Sequence, residues 1–248
     1  MSENSANIHT ETISYNANGT SMKGFLAYDS GNSDPRPGVI VIHEWWGLDD
    51  YIRERARMLA ELGYTALAID MYGDGKTGAD PGEASALMNG VLGDMQSGTA
   101  RLQAGYDCLK AQPQTDGGNI AAIGYCFGGA MVLHGARIGM DLAGVVSFHG
   151  ALGSFHKPDA GSVKAKVLVC HGADDSLIPE DDIANFKQEM GDAGADYEFV
   201  SYPGALHGFT NPHATANGEK YGLPLAYDAD VDKQSWQEMQ ALFSRVFS

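Results

Sequence analysis

The stretch Asn119-Ile120-Ala121-Ala122-Ile123-Gly124-Tyr125-Cys126-Phe127-Gly128-Gly129 decides how the chain is read. Its first half is a short apolar strand, and the residues from Phe127 to Ile138, which carry Met131 and His134, form a helix-like continuation. A strand that turns at once into a helix brings the backbone against its own continuation, where a Cβ would collide. Glycine on both sides of Cys126 therefore has a steric reason. Strand, sharp turn and helix in this order make a nucleophile elbow, with cysteine where serine is more usual. The helix N-terminus behind the sulfur favours a thiolate. A buried structural thiol is the competing reading. It suits Cys108, inside a helical stretch, and Cys170, inside an apolar strand, better than it suits Cys126.

Working outward, the same alternation recurs along the chain. Thr10 to Asp29 alternates polar and apolar residues around Asn16-Ala17-Asn18-Gly19, which predicts an antiparallel hairpin. Buried strands are predicted over Pro37–His43, Tyr64–Met71, Asn119–Ile123, Leu142–Phe148, Lys166–Cys170 and Tyr197–Tyr202. One helix starts after Asp49-Asp50, with Ile52, Ala56, Leu59 and Leu62 on one face and Gly63 as its stop. Others are predicted over Glu83–Leu109, Phe127–Ile138 and Glu180–Met190, and a last one from Asp228 puts Trp236, Phe243 and Phe247 on a shared face. Alternating strands and helices predict a mostly parallel central sheet with helices on both faces, after an N-terminal hairpin. No linker or repeat divides the chain, so residues 1–248 are expected to form a single α/β domain. Its functional residues belong just after the strands.

The 248 residues carry 16 Lys+Arg against 32 Asp+Glu, a formal net charge of −16. Such a chain has no basic block with which to release counterions from nucleic acid or to settle on an anionic membrane. At 44% hydrophobic and 19% charged residues it has the composition of a folded domain. Its longest apolar runs are far too short to span a bilayer, and no basic start leads into an apolar run, so a cytoplasmic location is expected. Three cysteines without a short-spaced pair argue against a disulfide scaffold or a cysteine metal site. His43-Glu44 lacks the second histidine of a zinc-protease helix. Gly73-Asp74-Gly75-Lys76-Thr77-Gly78 formally matches a dinucleotide-binding pattern, but Asp74 beside the phosphates and Pro81 soon after favour a turn. Neither a metal nor a cofactor is expected.

A thiol nucleophile needs a base, and the base an orienting acid. The strand ending at Cys170 runs into His171-Gly172-Ala173-Asp174-Asp175-Ser176-Leu177-Ile178-Pro179, and the strand ending at Tyr202 runs into Pro203-Gly204-Ala205-Leu206-His207-Gly208-Phe209. The order nucleophile, acid, histidine is that of α/β-hydrolases. Taken singly, Asp174 and Asp175 are helix-capping carboxylates and His207 a loop histidine. Their order and their placement at strand ends give them weight together.

From Pro37 to the terminal helix the chain resembles the dienelactone hydrolase family of the α/β-hydrolase fold. Gly124-Tyr125-Cys126-Phe127-Gly128-Gly129 is similar to the family's cysteine elbow, which implies Cys126 as nucleophile. Gly172 to Pro179 matches its Gly-x-x-Asp-x-x-Ile/Val-Pro pattern and selects Asp175, and Tyr202 to Phe209 matches Tyr-x-x-x-x-His-x-Phe and implies His207 as base. Val41-Ile42-His43-Glu44-Trp45-Trp46-Gly47 resembles the family's first active-site loop, which implies that Glu44 contacts the resting thiol. Elbow geometry makes the Phe127 N–H one oxyanion donor, and the resemblance places the other at Trp45.

The implied activity is hydrolysis of small esters or lactones through a thioester on Cys126. Family members that take dienelactone clamp its carboxylate with arginines, one of them shortly after the catalytic histidine. Here that stretch reads His207-Gly208-Phe209-Thr210-Asn211, and no arginine lies between Arg57 and Arg101. Trp45, Trp46, Tyr125 and Phe127 instead predict an apolar mouth. With the charge of −16, that favours a neutral small-molecule substrate over an anionic one. Glu83 to Gly98 reads either as part of a cover or as ordinary surface helix. The alternative function is a ligand-binding protein with little or no turnover on the same fold. The sequence leaves the oligomeric state open.

Overall fold

Asn18-Gly19 makes the first turn for a steric reason. In the computed structural model, which describes residues 7–248, β1 (Ile8–Ala17) and β2 (Thr20–Asp29) pair antiparallel with Ala17 opposite Thr20. The two loop residues between them have φ of +50° and +87°. That is the mirror-image turn whose twist matches the strands it joins, and Asn-Gly is the pair that adopts it at least cost. β3 (Arg36–Ile42) and β4 (Thr65–Ile69) pair in parallel, and β4 also pairs antiparallel with β2. The chain folds as two compact units, one up to Ala121 and one from Ala122. In the first, the strand order is β1-β2-β4-β3. Every residue of β4 is buried, so both its faces are covered, as expected of a central strand clad by helices.

Those helices are α1 (Asp50–Glu61), α2 (Pro81–Leu92) and α3 (Met95–Lys110). Ile52, Ala56 and Leu59 of α1 are buried as the periodicity predicts, but Leu62 lies past the last turn and is 43% exposed. The single helix expected over Glu83–Leu109 is two. It breaks at Gly93-Asp94, where the Asp94 carboxylate accepts the Ser97 N–H at 3.1 Å and starts a new helix. Only Ala84 and Val91 of α2 are buried, so Glu83 to Leu92 is a surface helix.

The second unit adds β6 (Gly144–Phe148), β7 (Lys166–Gly172) and β8 (Tyr197–Tyr202) to β5 (Thr115–Tyr125), within which the division falls. They run parallel in the order β5-β6-β7-β8, so their C-terminal ends lie along one edge. Around them are α4 (Phe127–Arg137), α5 (Glu180–Asp192), α6 (Ala214–Tyr221) and α7 (Ala229–Val246). α6 was not expected from the sequence, since only Ala214 and Gly218 of its residues are buried and no apolar period marks it. Gly218 sits there because a Cβ would lie 2.5 Å from the Leu225 carbonyl oxygen. The end of α4 is pinned to α5 by Arg137, whose wholly buried guanidinium meets Glu189 at 2.7 Å and the Leu152 carbonyl at 2.8 Å. No helix among the described residues is long and apolar enough to cross a membrane.

The acidic excess has a structural use. Asp49, Asp80, Asp94 and Asp228 each cap a helix through the side chain, and Glu180, Asp181 and Asp182 fill the first turn of α5, all at the positive end of a helix dipole. Asp70, just past β4, does comparable work in a loop. Its Oδ1 accepts the N–H groups of Tyr72 and Gly73 at 2.9 and 2.8 Å, and its Oδ2 those of Lys23 and Gly75 at 3.0 and 2.8 Å. Gly73, Asp74 and Gly75 reach it through three successive positive φ values, +91°, +56° and +70°. The glycine-rich stretch thus wraps a carboxylate of its own chain, and the turn reading holds over the dinucleotide one. Asp70→Ala strands four donors, at least two of them buried, and should lower unfolding stability in urea by about 2–4 kcal/mol. An unchanged midpoint and slope would contradict this account of the loop.

Candidate active site

Cys126 lies between β5 and α4 with φ +53° and ψ −113°, a conformation that L residues rarely adopt and that costs about 1–3 kcal/mol. Several contacts hold it there. Its N–H donates to the Phe148 carbonyl at 3.0 Å, and its carbonyl accepts the Ala130 N–H at 3.2 Å. A Cβ on Gly124 would fall 2.1 Å from the Gly128 oxygen, and one on Gly129 would fall 2.7 Å from the Gly150 Cα. These are collisions with backbone that no rotamer relieves. The turn therefore lifts a half-buried thiol out of the strand and sets it at the start of a helix. Phe127 is the first residue of that helix, where an N–H has no intrahelical acceptor. The other two thiols are in different surroundings. Cys170 is wholly buried under the Tyr202 hydroxyl and pushed up to about 12 by burial, and burial also raises Cys108.

Beyond β7, Asp174 is exposed and Asp175 is buried, which separates two residues that look alike as strand-end carboxylates. Asp175 Oδ1 accepts the Leu177 N–H at 2.9 Å, and its Oδ2 accepts Nδ1–H of His207 at 2.8 Å. With its proton on Nδ1, the imidazole turns Nε2 to Cys126, with which it is hydrogen-bonded. Burial alone would lower the basicity of His207. The Cys126 sulfur and the Asp175 carboxylate outweigh it and hold the ring well above the usual histidine range. The loop that carries His207 is tied down through its backbone, the His207 carbonyl accepting the Ala226 N–H at 3.2 Å and the Phe209 carbonyl the Asp228 N–H at 3.0 Å. The second unit thus brings together Cys126, His207 and Asp175. Tyr125 is fully buried there, with its ring stacked on Phe148 at 4.9 Å.

In the first unit, β3 runs into His43-Glu44-Trp45-Trp46-Gly47. Glu44 is 5% exposed, and the rings of Trp45 and Trp46 are half-buried and 4.9 Å apart. His43 organises this turn. Its Nε2 receives the Met71 N–H at 3.2 Å and so carries no proton, which leaves Nδ1–H to donate to the Glu44 carbonyl at 2.5 Å. That carbonyl also accepts the Gly47 N–H, while the Tyr72 hydroxyl donates to the Trp45 carbonyl at 2.8 Å. In a trans peptide C=O and N–H point opposite ways, so a bound Glu44 carbonyl fixes the direction of the Trp45 N–H. Sequence reasoning weighed His43 only as a metal ligand; its role in the loop comes from a bond to Met71, far along the chain. It also passed over His149, although that residue follows β6 and the rule of searching strand ends covers it. Among the described residues no group of three or more His, Cys, Asp or Glu is placed to hold a metal.

Comparison with known proteins matches residues 22–247 to the model of the dienelactone hydrolase family. A dienelactone hydrolase-like promiscuous phosphotriesterase from metagenomic libraries shares 40% identity, with a TM-score of 0.91 over 97% of this chain and 99% of that one. Protein usf of Aquifex pyrophilus is 30% identical over 81% of this chain and 87% of its own length. An Escherichia coli protein, named as a candidate carboxymethylenebutenolidase, is 25% identical over 92% and 83% of the two chains.

The buried His43 gives the loop a pH dependence. Burial drives its imidazole down to about 4, against the pull of the Glu44 carbonyl and of Asp70. The unfolded chain takes up a proton near the ordinary value of about 6.5. Between those values only the unfolded state is charged, so stability falls as pH drops through this window, by up to about 3 kcal/mol. His43→Gln can still accept the Met71 N–H but does not titrate. Its melting temperature should fall less than the parent's between pH 7 and 4, with His134, also lowered to about 4, supplying a slope common to both. Parallel curves would contradict the assignment.

Proposed function

Because the chain belongs to the dienelactone hydrolase family, we propose that it hydrolyses small neutral esters and lactones through a Cys126-His207-Asp175 triad. The observation that carries this reading is the His207 imidazole, bonded at Nδ1 to Asp175 at 2.8 Å and turned to the Cys126 sulfur on a strained elbow. Cys126 sulfur attacks the carbonyl carbon and His207 Nε2 holds the thiol proton. The tetrahedral adduct then collapses, the C–O bond breaks, and His207 returns that proton to the departing oxygen. In the second half His207 takes a proton from water, the hydroxide adds to the thioester, and the carboxylic acid leaves as the thiol re-forms. Asp175 holds the productive tautomer and stabilises the imidazolium.

The Phe127 N–H serves as one oxyanion donor by elbow geometry. The family resemblance supplies the second at Trp45 and makes Glu44 the partner of the resting thiol. A thiolate leaves more readily than an amine anion, so an amide adduct would collapse backwards. Esters and lactones are therefore preferred over peptides. The absence of arginine between Arg57 and Arg101 and in the stretch Gly208-Phe209-Thr210-Asn211 just after His207, together with the charge of −16, supports a neutral substrate.

A second reading is favoured by the 40% identity to a phosphotriesterase-like relative. A neutral aryl phosphotriester meets the same requirements, with sulfur attacking phosphorus and the aryloxide leaving. Assaying p-nitrophenyl acetate, dihydrocoumarin and p-nitrophenyl diethyl phosphate beside Cys126→Ala tests both readings. Turnover of the acyl substrates should fall by about 10³-fold or more in the variant. Parent and variant equal on every substrate would favour the ligand-binding alternative. Glu44→Gln should alter the rate at which iodoacetamide alkylates Cys126, and superimposable rate-against-pH curves would remove Glu44 from the resting site.

A further inference from the structure

The bond from Asp175 fixes one edge of the His207 ring but does not by itself fix the ring's plane. Hydrogen bonds at the ring nitrogens tolerate a range of angles and so leave an imidazole some swing about its Cβ–Cγ bond. His207 sits on an irregular loop, followed by Gly208 at φ +77°, so no helix or strand restrains its side chain. His149, the residue after β6, lies across it. Its ring is fully buried and meets the His207 ring edge-to-face, with centroids 5.2 Å apart and planes at 64°. Its Nε2 is 2.7 Å from the hydroxyl oxygen of Thr210, three residues beyond His207 on the same loop, and its far side packs edge-to-face on Phe209 at 5.1 Å. One side chain thus braces both arms of the Gly208 turn.

His149 is itself held in an unusual state. It is one of the non-glycine residues with positive φ, at +40°, and its N–H donates to the Cys170 carbonyl at 2.8 Å. The carbonyl just before it, that of Phe148, receives the Cys126 N–H, and Gly150 just after it lies against Gly129 of the elbow. The turn Phe148-His149-Gly150 therefore touches the backbone of Cys126 and the ring of His207 at once. An ordinary strand end would not need a buried histidine in the left-handed region.

We propose that His149 is a positioning residue, whose ring and bond to Thr210 set the plane of the His207 imidazole and so aim Nε2 at Cys126. This rests on the reading of His207 as the base for Cys126. Small misplacements of a catalytic group are enough to cost rate without costing substrate affinity.

The test compares His149→Ala, which removes the ring, with His149→Phe, which keeps a planar ring, and with Thr210→Val, which keeps the shape of Thr210 without its hydroxyl. Two quantities are read: steady-state constants on p-nitrophenyl acetate, and the low-field proton resonance of the His207 Nδ1–H, identified by its loss in His207→Gln. In His149→Ala kcat should fall by about 10- to 100-fold with KM changed by less than about 3-fold, and the resonance should broaden. His149→Phe should recover most of kcat and the sharp resonance, with Thr210→Val in between. Parent-like kcat and resonance in a folded His149→Ala would overturn the proposal. So would a folded His149→Phe as impaired as His149→Ala, and that comparison decides if His149→Ala fails to fold. If the parent lacks Cys126-dependent turnover, the hydrolase reading fails. The resonance alone then decides whether His149 holds the ring.

Discussion

A cysteine at φ +53° and ψ −113° survives only where its neighbours have no side chains to strike it and where enough bonds hold it in place. Much of the second unit is arranged around that requirement. Gly124 leaves room for the Gly128 carbonyl, Gly129 and Gly150 pass with almost no space between them, and the Phe148 carbonyl takes the Cys126 N–H. The residue that follows Phe148 then packs on the His207 ring, so the support of Cys126 and the packing on His207 come from successive residues of one turn. The strain is modest in energy but large in consequence, since it presents a half-buried thiol at the end of a strand and the start of a helix, within reach of residues delivered by the next strands.

The same economy appears in the treatment of charge. A net −16 does not mean a surface built to repel. Many of the carboxylates satisfy N–H groups that would otherwise lack partners, at the starts of α1, α2, α3 and α7 and around Asp70. Buried positive charge is committed as well: Arg137 is spent on Glu189 and two carbonyls and Arg36 on three carbonyls, while Arg55 lies over the Tyr51 ring. With several of its acids serving as caps and its buried arginines engaged within the fold, the chain has little with which to bind an anion. The reading of a neutral substrate follows from that commitment of charges as well as from the missing arginines.

The order of strands and helices and the order Cys126, Asp175, His207 were legible because each rests on local composition: an apolar run, then a turn rich in glycine, then a reactive side chain. Where local composition was ambiguous, burial decided. Asp174 and Asp175 are neighbours with the same side chain; composition does not tell them apart and the family pattern selects Asp175, while the packing of the loop after β7 puts one outside and the other on His207. α6 escaped because it buries two small residues and no apolar stripe, and the break between α2 and α3 escaped because Gly93-Asp94 is a weak stop within an otherwise helical pattern. His43 and His149 act through contacts 28 and 61 residues away, with Met71 and Thr210. No spacing rule within a single segment could have paired them.

The proposed chemistry turns on a covalent bond between Cys126 and the acyl group of the substrate. Mixing the protein with excess p-nitrophenyl acetate, quenching in acid within the first turnover and mapping the modified peptide by mass spectrometry tests this most directly. One acetyl group on Cys126, absent in Cys126→Ala and accumulating further in His207→Gln only if deacylation slows more than acylation, is the expected result. Release of p-nitrophenol with Cys126 unmodified at every quench time, and undiminished in Cys126→Ala, would contradict it.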